Sequence, residues 1–367
     1  MSITKSAVLN ALSYVDDPDL GKDLVTLKMV DQIQIDGQNV RFRLILTTPA
    51  CPLKEQIKNA CITAIRHFVD KEAVVTVDIT SQVTTKRQDN GQVLTNVKNI
   101  IAVAAGKGGV GKSTIAVNLA LALAQQGAKV GLIDADIYGP SIPLMLDLVG
   151  ARPQVQEVDG KHKIIPIEKH GLKILSIGFL SDPKQAVVWR GPMASSALRQ
   201  FVTDTVWGDL DYMIIDLPPG TGDIHLTLVQ TVPVTGALIV TTPQAVAQID
   251  VVKAMEMFLM PQINVPILGI VENMSYFSPS DMPDKKYYLF GKGGGQKLAE
   301  QYQLPLLGQL PMVEQVQEAA DNGKPVVVQE KDTPIAQAFR QLAQHTAQNI
   351  AMRNANIAPS KQVQITI

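Results

Sequence analysis

The chain has 367 residues, a length that predicts more than one hydrophobic core and two domains of unequal size. Hydrophobic residues make up 46% and charged residues 18% of the chain, which excludes a disordered protein and is typical of an α/β protein rich in aliphatic side chains. The net charge of −1 gives no electrostatic basis for binding nucleic acid or an anionic membrane.

The cysteines and the hydropathy pattern bear on where the protein works. The chain has two cysteines, Cys51 and Cys61, and its first residues lack the basic and apolar regions of a secretory signal. No uncharged apolar run reaches the roughly 18 to 20 residues that a membrane helix requires. The five histidines lack the spacing of a preformed metal site. We therefore expect a cytoplasmic protein with reduced thiols that binds neither membrane nor nucleic acid.

Residues 1–83 are predicted to form a small α+β domain. Asp36-Gly37 is a turn dipeptide between two strand patterns, and Arg41 to Leu46 alternates as a strand with one buried face does. The polar residues 84–99 that follow predict a mobile linker. The predicted elements are helix Lys5–Tyr14, strands Leu27–Asp36 and Asn39–Leu46, a helix that opens at Leu53, and strand Ala73–Thr80.

Cys51 lies just before the helix that opens at Leu53. The positive end of a helix dipole lowers the pKa of a thiol and favours a thiolate that serves as a ligand or nucleophile. A small buried turn residue is an equally good interpretation of Cys51. Cys61 lies on the apolar side of the same helix, so we expect it in the core.

A phosphate-binding loop is predicted after the linker. Residues 106–114 fit the pattern G-x-x-x-x-G-K-[ST], between a strand at Ile100–Ala104 and a helix at Ile115–Gln126. Only glycine lets several backbone amides converge on phosphate oxygens at a helix N-terminus. A Gly-rich turn without a ligand is the alternative. The predicted nucleotide-binding residues are Gly106, Lys107, Gly108, Gly109, Val110, Gly111, Lys112, Ser113 and Thr114.

The chemistry of this loop suits a nucleoside triphosphate such as ATP together with Mg²⁺. Lys112 would place its ammonium group on the β- and γ-phosphates, and the Ser113 hydroxyl would bind Mg²⁺. From Ile100 onward strands and helices alternate, which predicts the doubly wound parallel sheet of a P-loop NTPase, an α/β fold. The later strands are predicted at Lys129–Ile133, Lys173–Phe179, Tyr212–Asp216, Ala237–Thr241 and Ile267–Val271.

Three aspartates follow two of these strands, at the edge where such sheets bind ligands. Asp134 and Asp136 follow the strand that ends at Ile133, and Asp216 ends a strand in the Walker B arrangement that delivers a carboxylate to the metal's water shell. In the alternative interpretation, Asp134 caps a helix and Asp136 is an ordinary turn acid. The segment Pro218-Pro219-Gly220-Thr221-Gly222 is predicted to be a switch that senses the γ-phosphate.

The second lysine of the loop carries a family resemblance. With Lys107 directly after Gly106, the loop resembles that of the deviant Walker A ATPases, in which this lysine reaches the partner's nucleotide across a dimer interface. The resemblance implies a homodimer and a catalytic role for Lys107, Lys112 and Asp136. It also implies that Asp136 polarises the attacking water, while Asp134 lies nearer the Mg²⁺ shell with Ser113 and Asp216. A solvated loop lysine is the plain alternative for Lys107.

Further segments resemble one branch of these ATPases, the Mrp/ApbC iron-sulfur cluster carriers. The resemblance is carried by Trp189–Met193, Trp207–Tyr212, Asp216–Asp223 and Gly269–Ser275, whereas Asp17–Leu20 and Thr47–Leu53 resemble the iron-sulfur-assembly accessory domain. It implies a slow ATPase that helps to mature iron-sulfur proteins, with assembly factors and apo-protein clients as partners. It also implies that Asn273 belongs to the adenine pocket.

The chain departs from this family in one segment. Members usually carry Cys-x-x-Cys beyond the Glu272-Asn273-Met274-Ser275 segment, whereas Tyr276 to Lys286 contains no cysteine. Serine is a poor substitute for thiolate at an iron-sulfur centre. A cluster, if bound, would depend on Cys51 of each subunit. An adapter that binds no cluster and a positioning ATPase remain alternatives.

The C-terminal third is predicted to complete the ATPase domain, which would span residues 100–350. Gly291 to Gly295 is interpreted as a flexible turn before a helix at Gln296–Tyr302, and a core-packing helix is predicted at Thr333–Asn349. Residues 351–367 are predicted to form a flexible tail.

Overall fold

The computed structural model describes residues 3–88, 93–180, 191–279, 281–282, 284–329 and 332–363. Trp189, Arg190 and the middle of the predicted linker lie outside these ranges. The chain divides into two compact units: residues 1–85 with 347–357, and residues 86–346 with 358–367.

The first unit is built on a three-stranded sheet of order β3-β4-β5. β3 and β4 form the predicted antiparallel hairpin around Gly37, whose φ of 57° suits glycine, and β5 pairs parallel to β4. Alternate residues of β4, among them Phe42 and Leu44, are fully buried. The elements are α1 (Lys5–Leu12), β1 (Asp16–Asp17), β2 (Lys22–Asp23), β3 (Val30–Asp36), β4 (Asn39–Leu46), α2 (Lys54–Phe68) and β5 (Val74–Ser81).

The second unit contains an eight-stranded sheet of order β10-β11-β7-β12-β6-β13-β14-β15. All neighbouring pairs are parallel except β10 with β11, so the predicted α/β fold is confirmed. A separate hairpin, β8 with β9, and the edge strands β10 and β15 were not predicted. The strands are β6 (Val97–Ala105), β7 (Val130–Asp134), β8 (Gln154–Val158), β9 (Lys161–Ile165), β10 (Ile167–Lys169), β11 (Leu172–Ser176), β12 (Leu210–Asp216), β13 (Gly236–Thr241), β14 (Ile267–Glu272) and β15 (Leu306–Gln309).

The helices of this unit pack on the sheet or on each other. α3 is rich in Ala and Leu and is buried without interruption from Ile115 to Leu123, because it contacts the central strands. The helices of this unit are α3 (Lys112–Gln125), α4 (Ile142–Met145), α5 (Gly191–Thr203), α6 (Asp223–Thr231), α7 (Ala245–Leu259), α8 (Gly294–Tyr302), α9 (Glu314–Asp321) and α10 (Val326–Gln329). A further helix, α11 (Pro334–Asn356), belongs to this unit up to residue 346 and to the first unit from residue 347.

Two predictions about irregular segments are wrong. Gly294 and Gly295 are buried inside α8, not in a flexible turn. A Cβ atom on Gly294 would lie 2.6 Å from the Pro243 carbonyl oxygen, and one on Gly295 would lie 2.8 Å from the Glu272 Cβ atom. These glycines serve close packing, which a glycine-rich sequence does not distinguish from flexibility.

The second error concerns the linker and the tail. β6 begins at Val97, inside the predicted linker, and α11 continues to Asn356, beyond the predicted end of the ATPase domain. Arg87 pairs with Ser360, and the Val363 amide donates to the Val229 carbonyl oxygen at 3.0 Å. Residues 351–363 are therefore held by packing and backbone pairing that polar composition does not reveal.

None of the helices in the described ranges combines the length and the apolar character that crossing a bilayer requires.

Candidate functional site

The Gly-rich loop joins the buried strand β6 to the first turn of α3, as predicted. Gly109 and Gly111 have φ angles of 81° and 82°, in the left-handed region that favours glycine. Gly106 packs so tightly on α7 that a Cβ atom there would lie 2.2 Å from the Asp250 carbonyl carbon. The loop therefore opens a 14-residue helix, whose free amides and dipole favour an anion at its N-terminus.

Lys112 lies at the centre of the site. Its side chain is 6% exposed, and its Nζ atom lies 2.6 Å from Asp216 Oδ1 and 3.4 Å from Asp136 Oδ2. The Ser113 hydroxyl donates to Asp216 Oδ2 at 2.5 Å. The structure thus brings together the lysine predicted to bind phosphate, the hydroxyl predicted to bind Mg²⁺ and two of the predicted carboxylates.

Sheet register explains why the acids meet. Asp216 pairs with Asp134 at the ends of neighbouring parallel strands β12 and β7, and Ser176 ends β11 beside Asp134. The Ser176 hydroxyl donates to Asp134 Oδ2 at 2.8 Å. Burial, together with the charge of Asp216, raises the pKa of Asp134 to about 8. Burial also raises the pKa of Asp216, and the Lys112 ammonium acts in the opposite direction.

Asp136 and Asp134 lie at the phosphate loop, as the functional interpretation predicts, and they also make the turn and capping bonds of the alternative interpretation. Asp136 Oδ2 faces Lys112, while its Oδ1 accepts a hydrogen bond from the Tyr138 amide in a local turn. Asp134 Oδ2 also accepts from the Ile142 amide at 3.3 Å, at the start of the short helix α4. The turn and capping bonds hold these carboxylates in place at the loop, so the two interpretations are compatible.

The segment after Asp216 lies beside the phosphate loop. The Leu217 amide donates to the Val103 carbonyl oxygen, and the Gly220 amide donates to the Ala105 carbonyl oxygen at 2.9 Å. Gly220 has a φ angle of 91°. The predicted switch segment is therefore bonded to the end of the strand that carries the loop, where it can respond to a bound phosphate.

Asn273 lies against the other side of the loop, in a cavity of about 460 Å³. Its Nδ2 atom donates to the Val110 carbonyl oxygen at 2.9 Å, and a Cβ atom on Gly111 would lie 2.2 Å from that nitrogen. The cavity is mostly apolar and has the size of a small-molecule pocket. It is lined by Thr114, Asn273, Met274, Phe277, Met312 and Val316, among others.

Lys107 and Cys51 are the remaining predicted site residues. The half-exposed side chain of Lys107 forms no hydrogen bond or ion pair with any described residue. Cys51 is partly buried, and desolvation raises its thiol pKa, aided by the charges of Asp19 and Asp17. The Leu53 backbone at the start of the helix lowers this pKa, but desolvation outweighs it, so the net shift favours the interpretation of Cys51 as a buried turn residue. Cys61 is in the core as predicted, and burial raises its pKa to about 12.

The oxygen ligands at the loop fit a Mg²⁺ ion that is bound together with nucleotide phosphates and waters, and they are too few to hold a metal ion by themselves. Among the described residues, no three His, Cys, Asp or Glu side chains are placed to hold a metal ion together. A hydroxyl and a carboxylate, Ser113 and Asp216, are the hard oxygen donors that Mg²⁺ prefers, and Mg²⁺ commonly keeps several waters and binds with a nucleotide's phosphates.

Sequence reasoning missed two polar residues beside the site. The imidazole of His225, in the first turn of α6, is 1% exposed, and its burial lowers its pKa to about 4. Ser176, the partner of Asp134, gave no motif signal because it matches no pattern. His225 follows the predicted switch by three residues, and this position in the sequence was the one feature that could have pointed to it as a site residue.

Fold and loop together define a P-loop NTPase. A family model described as the NUBPL iron-transfer P-loop NTPase matches residues 96–347, and one described as an iron-sulfur cluster assembly protein matches residues 5–79. The chain belongs to this family of iron-transfer P-loop NTPases, which confirms the resemblance seen in the sequence.

Curated relatives match over nearly the whole chain. The iron-sulfur cluster carrier protein of Synechocystis sp. is 49% identical over 353 residues, which cover 95% of this chain and 99% of the relative. The protein of that name from Escherichia coli is 45% identical, covering 94% and 91%. Among solved structures, a nucleotide-binding protein from Archaeoglobus fulgidus in complex with ADP is 37% identical, with a TM-score of 0.57, covering 67% and 93%.

Proposed function

We propose that this protein is a homodimeric Mg-ATP-hydrolysing iron-sulfur cluster carrier that helps to mature iron-sulfur proteins. The observation that carries the proposal is the cluster of Lys112, Ser113, Asp216 and Asp136 at the end of β6. Its parts match those that phosphoryl transfer needs: a cation for the β- and γ-phosphates, a metal site and a carboxylate for water. The family and the carrier relatives support the role.

Each group has one task in the proposed reaction. Backbone amides of residues 108–113 hold the phosphates, and Lys112 moves from Asp216 to the phosphate oxygens. Ser113 and Asp216 would hold Mg²⁺ and its waters, and the metal would neutralise charge on the transferred group. Asp136 orients the attacking water, because in-line positioning matters more than base strength for phosphoryl transfer. Turnover is slow in this proposal, since hydrolysis resets a conformation.

Homodimerisation is the part of the proposal that concerns Lys107. This lysine is half-exposed and unengaged among the described residues, which suits a group that reaches the partner's nucleotide. The N-terminal unit, the assembly factors and the apo-protein clients complete the proposed carrier system. We place the protein in the cytoplasm, where thiols stay reduced.

Two variants test the ATPase proposal. Lys112→Ala should abolish ATP binding in calorimetry, because the phosphates lose their cation. Asp136→Asn should bind Mg-ATP like the wild type and lose phosphate release. Wild-type turnover by Asp136→Asn would remove the role proposed for Asp136, and tight ATP binding by Lys112→Ala would remove the proposed site.

A second candidate is a nucleotide-dependent adapter that holds no cluster. It is favoured by the segment after β14, where Phe277 pairs with Tyr287 and Lys286 lies 4.3 Å from the Tyr276 ring centroid, with no thiol among these residues. In the carrier proposal, by contrast, the cluster would depend on Cys51, the more accessible of the chain's two thiols. Anaerobic reconstitution with iron and sulfide decides between them: a carrier gains visible absorbance that Cys51→Ser loses, and an adapter gains none.

A further inference from the structure

One buried polar group beside the site has no role in the mechanism above. His225 is 1% exposed, and neither ring nitrogen forms a hydrogen bond of normal geometry with any described residue. Burying a polar group without a partner costs free energy, so most buried side-chain polar atoms are paired. An imidazole without a partner among the described residues therefore calls for a reason why a leucine of similar volume does not occupy the position.

The position of His225 supplies such a reason. Its amide donates to the Gly222 carbonyl oxygen at 3.1 Å, so it lies in the first turn of α6, directly after the Asp216–Gly222 segment. Its ring lies 6.3 Å from the Phe258 ring on α7, centroid to centroid. α7 in turn packs its Asp250 backbone against Gly106 of the phosphate loop. The imidazole thus lies between the switch segment and the helix behind the loop.

The charges of the reaction centre also reach this imidazole. Lys112 and Asp136 act on its pKa in opposite directions, although burial is the main cause of its low value. The Gly222 carbonyl acts to raise the pKa without forming a hydrogen bond of normal geometry. The ring is consequently neutral near pH 7, with one nitrogen that can donate and one that can accept.

We propose that His225 is a positioning residue for ATP hydrolysis, whose imidazole gains a hydrogen bond when the segment from Asp216 to Gly222 engages the γ-phosphate. The additional hydrogen bond favours the engaged arrangement over the free one and so biases a two-state switch. His225 does not touch the reacting atoms in this proposal; it acts through the switch segment and α6. The inference rests on the proposed ATPase function.

The test compares His225→Leu, which has similar volume and no polar atoms, with His225→Gln, which keeps one donor and one acceptor. His162→Leu, at an exposed position on β9, is the matched control. For each protein we would measure the melting temperature alone, with Mg-ADP and with a non-hydrolysable Mg-ATP analogue, and then kcat and KM. A merely structural histidine would alter the melting temperature alone and leave the other quantities unchanged.

We expect His225→Leu to melt at or above the wild-type temperature without nucleotide, because it removes unpaired polar atoms. The ATP analogue should raise the melting temperature of this variant above its value with ADP by less than it does in the wild type. Its kcat should fall about tenfold while KM stays within about twofold, because one hydrogen bond that is made only in the engaged state is lost. His225→Gln should recover part of both losses, and His162→Leu should match the wild type.

A His225→Leu protein with wild-type kcat and the wild-type difference between the two nucleotides overturns the proposal. If that variant does not fold, His225→Met, which also lacks a hydrogen-bond donor, takes its place: a fall in kcat at unchanged KM supports the role, and wild-type kinetics overturn it. If the wild type hydrolyses ATP and the His225 variants behave like it, the role of His225 is refuted and the proposed ATPase function stands. A wild type that neither binds nor hydrolyses ATP defeats the proposed function and this inference with it.

Discussion

Gly106→Ala should destabilise the ATPase unit because the backbone of α7 has no room for a methyl group. A Cβ atom at Gly106 would lie 2.2 Å from both the Asp250 carbonyl carbon and the Val251 amide nitrogen. These are backbone atoms in the middle of a 15-residue helix, so no side-chain rotation relieves the contact. Overpacking of this kind costs about 1 to 3 kcal/mol, and we expect the upper end because α7 must shift.

Gly108→Ala is the matched control within the same loop. A Cβ atom at Gly108 would meet no atom within 4 Å, and the residue has no positive φ angle. Such a substitution changes the free energy of unfolding by no more than about 0.5 kcal/mol, or raises it slightly because alanine restricts the unfolded chain. The two variants should therefore differ by about 2 to 3 kcal/mol, roughly a 30- to 150-fold difference in the folded-to-unfolded ratio.

Urea unfolding without nucleotide, followed by tryptophan fluorescence, measures this difference. Both tryptophans of the chain, Trp189 and Trp207, lie in the ATPase region, so the signal reports on that unit. Trp207 is 2% exposed, and its indole donates to the Phe201 carbonyl oxygen at 2.8 Å. Equal unfolding midpoints for the two alanine variants, at equal slopes, would refute the close packing of Gly106 against α7.

Three further predictions follow from the site and the thiols. Asn273→Ala should weaken ATP binding in calorimetry more than it weakens binding of inorganic triphosphate, which has no base; equal losses would show that Asn273 only holds the loop. Since the pKa of His225 falls from 6.5 unfolded to about 4 folded, the unfolded state binds the extra proton between these values. Acidification from pH 7 to pH 5 should therefore destabilise the wild type more than His225→Leu in urea titrations, and parallel losses would contradict this pKa. A thiol reagent at neutral pH should modify Cys51 slowly and Cys61 only after unfolding, because Cys61 is fully buried with a pKa of about 12; fast labelling of two thiols in the folded protein would refute this.

The sequence alone predicted the parts of the protein that follow short local rules. The loop of residues 106–114 was recognisable because phosphate binding demands glycine, lysine and serine at fixed spacing between a strand and a helix. Asp134 and Asp216 were recognisable because each ends an apolar strand. Their pairing across β7 and β12 requires strand order, which a single sequence does not contain.

The errors share a physical cause: long-range packing. Gly294 and Gly295 look flexible until Glu272 and Pro243 are placed against them. The Cys51 thiol has a helix dipole nearby, but desolvation outweighs it once the fold is formed. His225 belongs to no motif, and what singles it out is its burial without a partner in the part of the chain that the structure describes.

The central claim is that the loop at residues 106–114 grips the phosphates of Mg-ATP. A crystal structure of the full chain with Mg²⁺ and a non-hydrolysable ATP analogue tests it most directly. We expect phosphate oxygens within hydrogen-bond distance of the loop amides, with Lys112 Nζ on the β- and γ-phosphates and the metal beside Ser113. Nucleotide bound elsewhere, or bound here with Lys112 still paired to Asp216, would contradict it.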